Sequence, residues 1–226
     1  MARRVANFTH ECVAGLIGVP RLLCAIAQDG VVIRRWFGAV LLAVALHGAS
    51  AAPAAGQADA SIPAVLVPAG ATPFLRAHAV GTQNYVCVAT GTGLAWRFYG
   101  PQATLFVRVF GFEQQVTTHF LSSNPDEAGV ARATWQGSFD SSRVWARSSQ
   151  IVDDPAIIGT GNIPWLLLER VGSRRGPTGG GLLSQATHIQ RIHTVGGVAP
   201  STGCSQSTDA GAFALVPYGT DYVFFR

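Results

Sequence analysis

Lysine is absent from the chain, so all sixteen basic side chains are arginine. Beside abundant alanine, this bias reads as GC-rich coding, not as mechanism. Past the first 51 residues the only adjacent basic pair is Arg174-Arg175 in a glycine-rich stretch, which leaves a nucleic-acid binder without its electrostatic footprint. Cysteine is scarce too, with Cys12, Cys24, Cys87 and Cys204 alone; neither Cys87 nor Cys204 has a CxxC partner or a nearby histidine at ligand spacing, so a zinc site is not expected. There is no GxSxG elbow, Walker loop, HExxH helix or Rossmann glycine pattern, and no convincing amphipathic helix of three turns. Gly91-x-Gly93, Gly159-x-Gly161 and Gly179-Gly180-Gly181 read as turns. Neither a metal nor a cofactor is expected.

What is present begins with a leader. Arg34-Arg35 precede an eleven-residue apolar run, Trp36 to Leu46, and then Ala49-x-Ala51, the pattern of a secretory signal cleaved after Ala51. Eleven helical residues reach only about 16 Å, well short of a hydrocarbon core of about 30 Å. Residues 1–33 form a mixed prefix that reads as an over-called start, with Val31 or Val32 suited to initiation; Arg34-Arg35-Trp36-Phe37 also matches part of a twin-arginine signal. Residues 52–61 are a small-residue linker, and residues 62–226 the working domain.

Removing the leader leaves 11 Arg against 10 Asp plus Glu, so the net charge falls from +4 to +1. It also leaves Cys87 and Cys204, an even pair expected to form a disulfide in an oxidising compartment, two buried thiols being the alternative. Secretion or periplasmic residence follows, with no membrane span in the mature chain.

Beyond the linker most apolar segments alternate with a period of two, the signature of strands. The runs are Phe74–Val80 and Gln83–Val88, broken at Gly81; Leu94–Phe98, ended by Pro101; Thr104–Phe110; Val116–Phe120; Ala131–Gln136; Arg143–Arg147; Ala212–Val216 and Tyr222–Phe225. Ile163–Val171 is apolar throughout and fits a strand buried on both faces. Residues 163–195 read as a two-stranded ribbon whose tip, Gly172–Gly181, is long and mobile. About ten strands with Gly and Pro turns predict an all-β fold, an antiparallel β-sandwich or barrel in a single domain.

The strings Tyr85-x-Cys87, Ala95-Trp96-x-Phe98, Thr118-His119-Phe120, Ile163-Pro164-Trp165-Leu166-Leu167-Leu168, Ile189-Gln190-Arg191, Thr194-Val195-Gly196-Gly197-x-Ala199-Pro200, Gly203-Cys204 and Val216-Pro217-Tyr218-x-x-Asp221-Tyr222 occur in that order. In them the chain resembles the DUF3455 family of secreted bacterial and fungal proteins, over roughly residues 62–226. His188 stands where that pattern has Tyr, and His193 where it has Asn. The resemblance implies export, one compact domain and the two cysteines as family positions; it carries no reaction.

The densest polar string is Thr187-His188-Ile189-Gln190-Arg191-Ile192-His193-Thr194. On a regular strand Arg191 and His193 share one face, while His188, Gln190 and Thr194 share the other. Either one face lines a pocket, or Gln190 and Arg191 brace loops, with Arg191 paired to Asp221 or Glu169. Of the tryptophans, Trp96 and Trp165 read as core, and Trp145 between Arg143 and Arg147 as the most exposed, a possible sugar platform. His119 could pair with Asp126, Glu127 or Asp140 as an acid and base. The candidate site residues are therefore His119, Trp145, His188, Gln190, Arg191, His193 and Asp221. The leading expectation is a non-enzymatic domain that binds a small molecule, glycan or envelope component; the alternative is a secreted hydrolase or lyase working through His119, His188, His193 and Asp221.

Overall fold

The computed structural model of this chain describes residues 62–226; the readings made for the leader, the export signal and the linker lie outside the described residues. Eight antiparallel strands follow one another: β1 (Pro73–Thr90), β2 (Gly93–Val109), β3 (Phe112–Asn124), β4 (Val130–Gly137), β5 (Arg143–Val152), β6 (Trp165–Arg174), β7 (His188–Gly196) and β8 (Phe213–Phe225). Each pairs with the next, and β8 returns to β1, closing the sheet into a barrel. Closure removes the exposed edges that an open sheet of this size would present. Of the two all-β arrangements expected, the barrel is the one formed.

The strand count is eight because three expected breaks are not breaks. Gly81 lies within β1, where a Cβ would collide with the Gln102 carbonyl and Ala103 of β2; glycine here permits close approach of two strands. Pro101 lies within β2, beside the register shift at Asn84/Tyr85. At that position β2 is not yet paired with β3, whose register starts at Ala103↔His119, so the missing N–H breaks no ladder bond on that side. The runs at Ala212 and Tyr222 likewise join as β8.

Alternation sorts β6 onto two cores. Leu168 lies in the barrel interior with Leu105, Trp135, Ile189, Tyr222 and Phe224, and Leu166 packs against them. Trp165 and Leu167 face outward, yet are buried with Leu66, Ile158, Ile192 and Val223 beneath an N-terminal strap and the one-turn helix α1 (Pro155–Ile158). A strand covered on both faces needs no polar alternation, which accounts for the unbroken apolar run. Gln190 fastens the strap: its buried side chain donates from Nε2 to the Leu66 carbonyl at 2.8 Å.

One end of the barrel is plugged by Leu183 and Ala186 of the β6–β7 connection. That connection, expected to be a mobile tip, is instead tied down. Gly172 to Arg174 continue β6, Asp140 accepts from the Leu182 N–H at 2.8 Å, and Ser142 Oγ accepts from the Leu183 N–H at 3.0 Å. A Cβ at Gly176 or Gly180 would strike Asp140, so the glycines are there for contact. Near the other end the disulfide joins Cys87 on β1 to Cys204 in the β7–β8 loop, with 5.5 Å between Cα atoms.

Candidate functional site

Toward the unplugged end the interior is incompletely filled. A cavity of about 130 Å³ lies among Gln83, Phe98, Pro101, His119, Leu121, Ala133, Trp135, Leu166, Arg191 and Tyr222. Phe98, Leu121 and Ser148 are solvent-exposed and form its mouth. Gln83, His119, Trp135 and Tyr222 are each 3% exposed or less and form its floor.

Every floor residue arrives by strand parity. Gln83 follows Ala77 and Ala79 on the inner face of β1, His119 follows Thr117 on β3, Trp135 follows Ala133 on β4, and Tyr222 lies between Thr220 and Phe224 on β8. His119 stacks on Trp135, with ring centroids 4.2 Å apart and 10° between planes, and meets Tyr222 edge-on at 5.2 Å. Its Nδ1 donates to the Thr134 carbonyl at 2.9 Å; because a carbonyl can only accept, Nδ1 carries the proton. Burial, reinforced by the positive charge of Arg191, lowers the His119 pKa to about 3 against the opposing pull of the Thr134 bond. His119 is thus a neutral imidazole with Nε2 left as an acceptor. No carboxylate bonds it, and the expected acids lie elsewhere: Asp126 pairs with Arg174, Glu127 with Arg132, and Asp140 holds the β6–β7 connection.

The floor is rich in polar atoms without partners. Gln83 Nε2, Trp135 Nε1 and the Tyr222 hydroxyl are buried and unsatisfied there, and the Tyr218 hydroxyl, outside the lining, is so as well. Each such group costs about 1 to 3 kcal/mol relative to a satisfied one, and three of them are gathered on this one floor. Burial raises the pKa of both tyrosines; Tyr222 adds to the effect on Tyr218, and Arg191 opposes it in each. The two hydroxyls lie close enough to interact, with Gln83 beside Tyr218 and Arg191 beside Tyr222, although none of these contacts has the geometry of a well-formed hydrogen bond.

Arg191 was expected to pair with Asp221 or Glu169 and does not. Its Nε and Nη2 both donate to the Pro164 carbonyl, at 3.1 and 2.8 Å, while Glu169 faces Arg147 at 3.8 Å and Asp221 is engaged on the outer wall. Asp221 accepts from His78 Nδ1 and from His193 Nδ1, each at 3.0 Å. Burial pulls its pKa upward, but the bonds from His193 and His78 prevail and hold it below the usual carboxylate value. His193 therefore sits on the face opposite Arg191, against the expectation of a shared face. A register shift between Ile192 and Val195 and a left-handed φ of 52° at His193 break the alternation, and the ring meets Trp165 edge-on outside the barrel.

The remaining candidates do not converge on the cavity. His188 meets only the Thr187 hydroxyl, at 3.2 Å, and Gln190 serves the strap. Trp145, expected to be exposed, is 3% exposed, and its Nε1 donates to Ser122 Oγ at 2.9 Å. Trp135 and Trp165 are equally buried; Trp96, expected in the core, is half-buried with Nε1 on the Thr202 carbonyl. Trp135, Trp145 and Trp165 present no open face for sugar stacking. Of the candidates, His119 and Arg191 reach the site; Gln83, Trp135 and Tyr222 were missed. A glutamine or tyrosine in a strand reads as ordinary, and only barrel closure shows that they meet.

A shallow groove of about 700 Å³ crosses the outer wall from Leu215 past Val80 and Thr82 to Thr104 and Phe120, but none of its lining side chains is buried and unsatisfied. Among the described residues no helix is long and apolar enough to cross a membrane.

A family model described as "Protein of unknown function (DUF3455)" matches residues 68–226. No curated protein and no solved structure matches the chain.

Proposed function

We propose, since this chain belongs to the DUF3455 family and that family has no assigned reaction, that the domain is an exported, non-enzymatic binder of a small molecule, which it takes into the interior of its barrel. The observation that carries this reading is the set of buried, unpartnered polar atoms on the floor of a cavity whose mouth is apolar. Concave sites with apolar walls and a few convergent polar groups are where proteins hold small ligands. Size bounds the ligand. Pockets for drug-sized molecules run to about 300–1,000 Å³, whereas an engineered cavity of about 150 Å³ takes up benzene. At about 130 Å³, the site suits one ring or a short chain, and not an oligosaccharide.

Acid and base chemistry has less support. His119 is neutral with no carboxylate to orient it, and the His193–Asp221 pair lies on the outer wall, away from the cavity. Export accords with the Cys87–Cys204 disulfide.

The test is titration of the protein with benzyl alcohol, a neutral ring-sized probe, followed by ligand-observed NMR. Ser148→Trp is the control: Ser148 is exposed at the mouth, so an indole there occludes entry at little cost to the core. Saturable binding that Ser148→Trp removes supports the reading. No binding of this probe or of its charged analogues to the wild type, or equal binding to the occluded variant, overturns it.

A further inference from the structure

The polar floor carries a sign. Arg191 lines the cavity, and among the described residues no carboxylate lies within ion-pair distance of its guanidinium. Two of its five N–H groups are spent on the Pro164 carbonyl. No Asp or Glu lines the cavity. The unpartnered floor atoms are an indole N–H, an amide nitrogen and the Tyr222 hydroxyl, all able to donate. The acceptors on the floor, Nε2 of His119 and the Gln83 amide oxygen, are both neutral, so nothing there offsets the charge of Arg191.

Resting on the cavity reading above, we infer that the barrel interior is a site for a small organic monocarboxylate with an apolar body: the carboxylate seats against Arg191, Gln83, Trp135 and Tyr222, and the ring or short chain lies between Phe98, Leu121 and Leu166. A carboxylate offers two oxygens with about four lone-pair positions and can satisfy several donors at once. An alcohol satisfies fewer and leaves Arg191 without a counter-charge. An ammonium meets like charge in a site that lacks any lining acid. Inorganic anions forgo the apolar wall, which is half of the site.

The same titration, run at pH 7 with benzoate, benzyl alcohol and benzylamine, decides the charge class. Charge-assisted hydrogen bonds predict benzoate binding on the order of tenfold or more tighter than benzyl alcohol, with benzylamine weakest. Arg191→Gln is expected to weaken benzoate more than benzyl alcohol, closing most of the gap between the two probes. Because Arg191 also holds Pro164, two readouts guard against a misfolded variant. One is the Trp135 indole N–H resonance of the wild type, expected to move on addition of benzoate. The other is Tyr222→Phe, which keeps the ring and is expected to weaken benzoate more than benzyl alcohol. Benzoate binding no tighter than benzyl alcohol to the wild type, or leaving the indole resonance unmoved, overturns the carboxylate and spares the cavity reading. Failure of both probes to bind sinks the two together.

Discussion

His119 should make the folded protein sensitive to acid well before its carboxylates are protonated. The ring is 3% exposed, stacked on Trp135 and tied through Nδ1 to the Thr134 carbonyl, and its pKa falls from 6.5 to about 3. The folded value is depressed below the unfolded one, so between those limits the unfolded chain binds the extra proton, and stability falls as pH is lowered. One unit corresponds to about 1.36 kcal/mol, so the full gap of 3.5 units is worth about 4.8 kcal/mol near pH 3, and the 1.5 units down to pH 5 about 2 kcal/mol. The comparison is with His119→Asn, whose side-chain amide can still donate to Thr134 but does not titrate. At pH 7 the variant is less stable because it leaves space beside Trp135. On going to pH 5 that deficit should shrink by about 2 kcal/mol, since only the wild type carries the penalty; His78, His188 and His193 are common to both proteins and cancel. Urea unfolding at pH 7, 6 and 5 measures it. Parallel pH profiles, or a folded-state His119 resonance that titrates near 6.5, would refute the reasoning.

Two further expectations concern the frame around the site. Reduction of Cys87–Cys204, which spans 117 residues of sequence, should lower stability by up to about 4.9 kcal/mol in the chain-entropy model, read as a fall in the urea midpoint with reductant; an unchanged midpoint would mean the bridge adds nothing. Gln190→Leu should free the strap: the Leu66 carbonyl loses its buried donor, at about 1 to 3 kcal/mol, and the amides of Leu66 and Val67 should exchange faster while the barrel amides do not.

Much of the architecture could be read along the chain. The period of two in Ala131–Gln136 and the unbroken run at Ile163–Val171 each report which faces are covered, because side chains on a strand alternate whatever the rest of the chain does. Gly81 and Pro101 misled for a shared reason. Both residues terminate strands when judged alone, and both are accommodated by what a neighbouring strand does: close approach at Gly81, and absent pairing to β3 at Pro101. His193 misled differently, since the bulge that turns it outward is a property of the pairing with β8. Trp145 looked exposed between two arginines, yet Ser122 on β3 accepts its N–H.

The sequence by itself determined the all-β class and the inward or outward sense of most strand residues, and it favoured a bridge between Cys87 and Cys204, all consequences of local periodicity and composition. Only the tertiary structure decided that the sheet closes, that Gln83, His119, Trp135, Arg191 and Tyr222 meet in one cavity, and that Asp221 faces two histidines on the wall instead of Arg191 within. The physical reason is distance along the chain. Contacts such as His78 with Asp221, 143 residues apart, arise when β1 and β8 pair, and nothing in the neighbourhood of either residue specifies which strand will lie beside it.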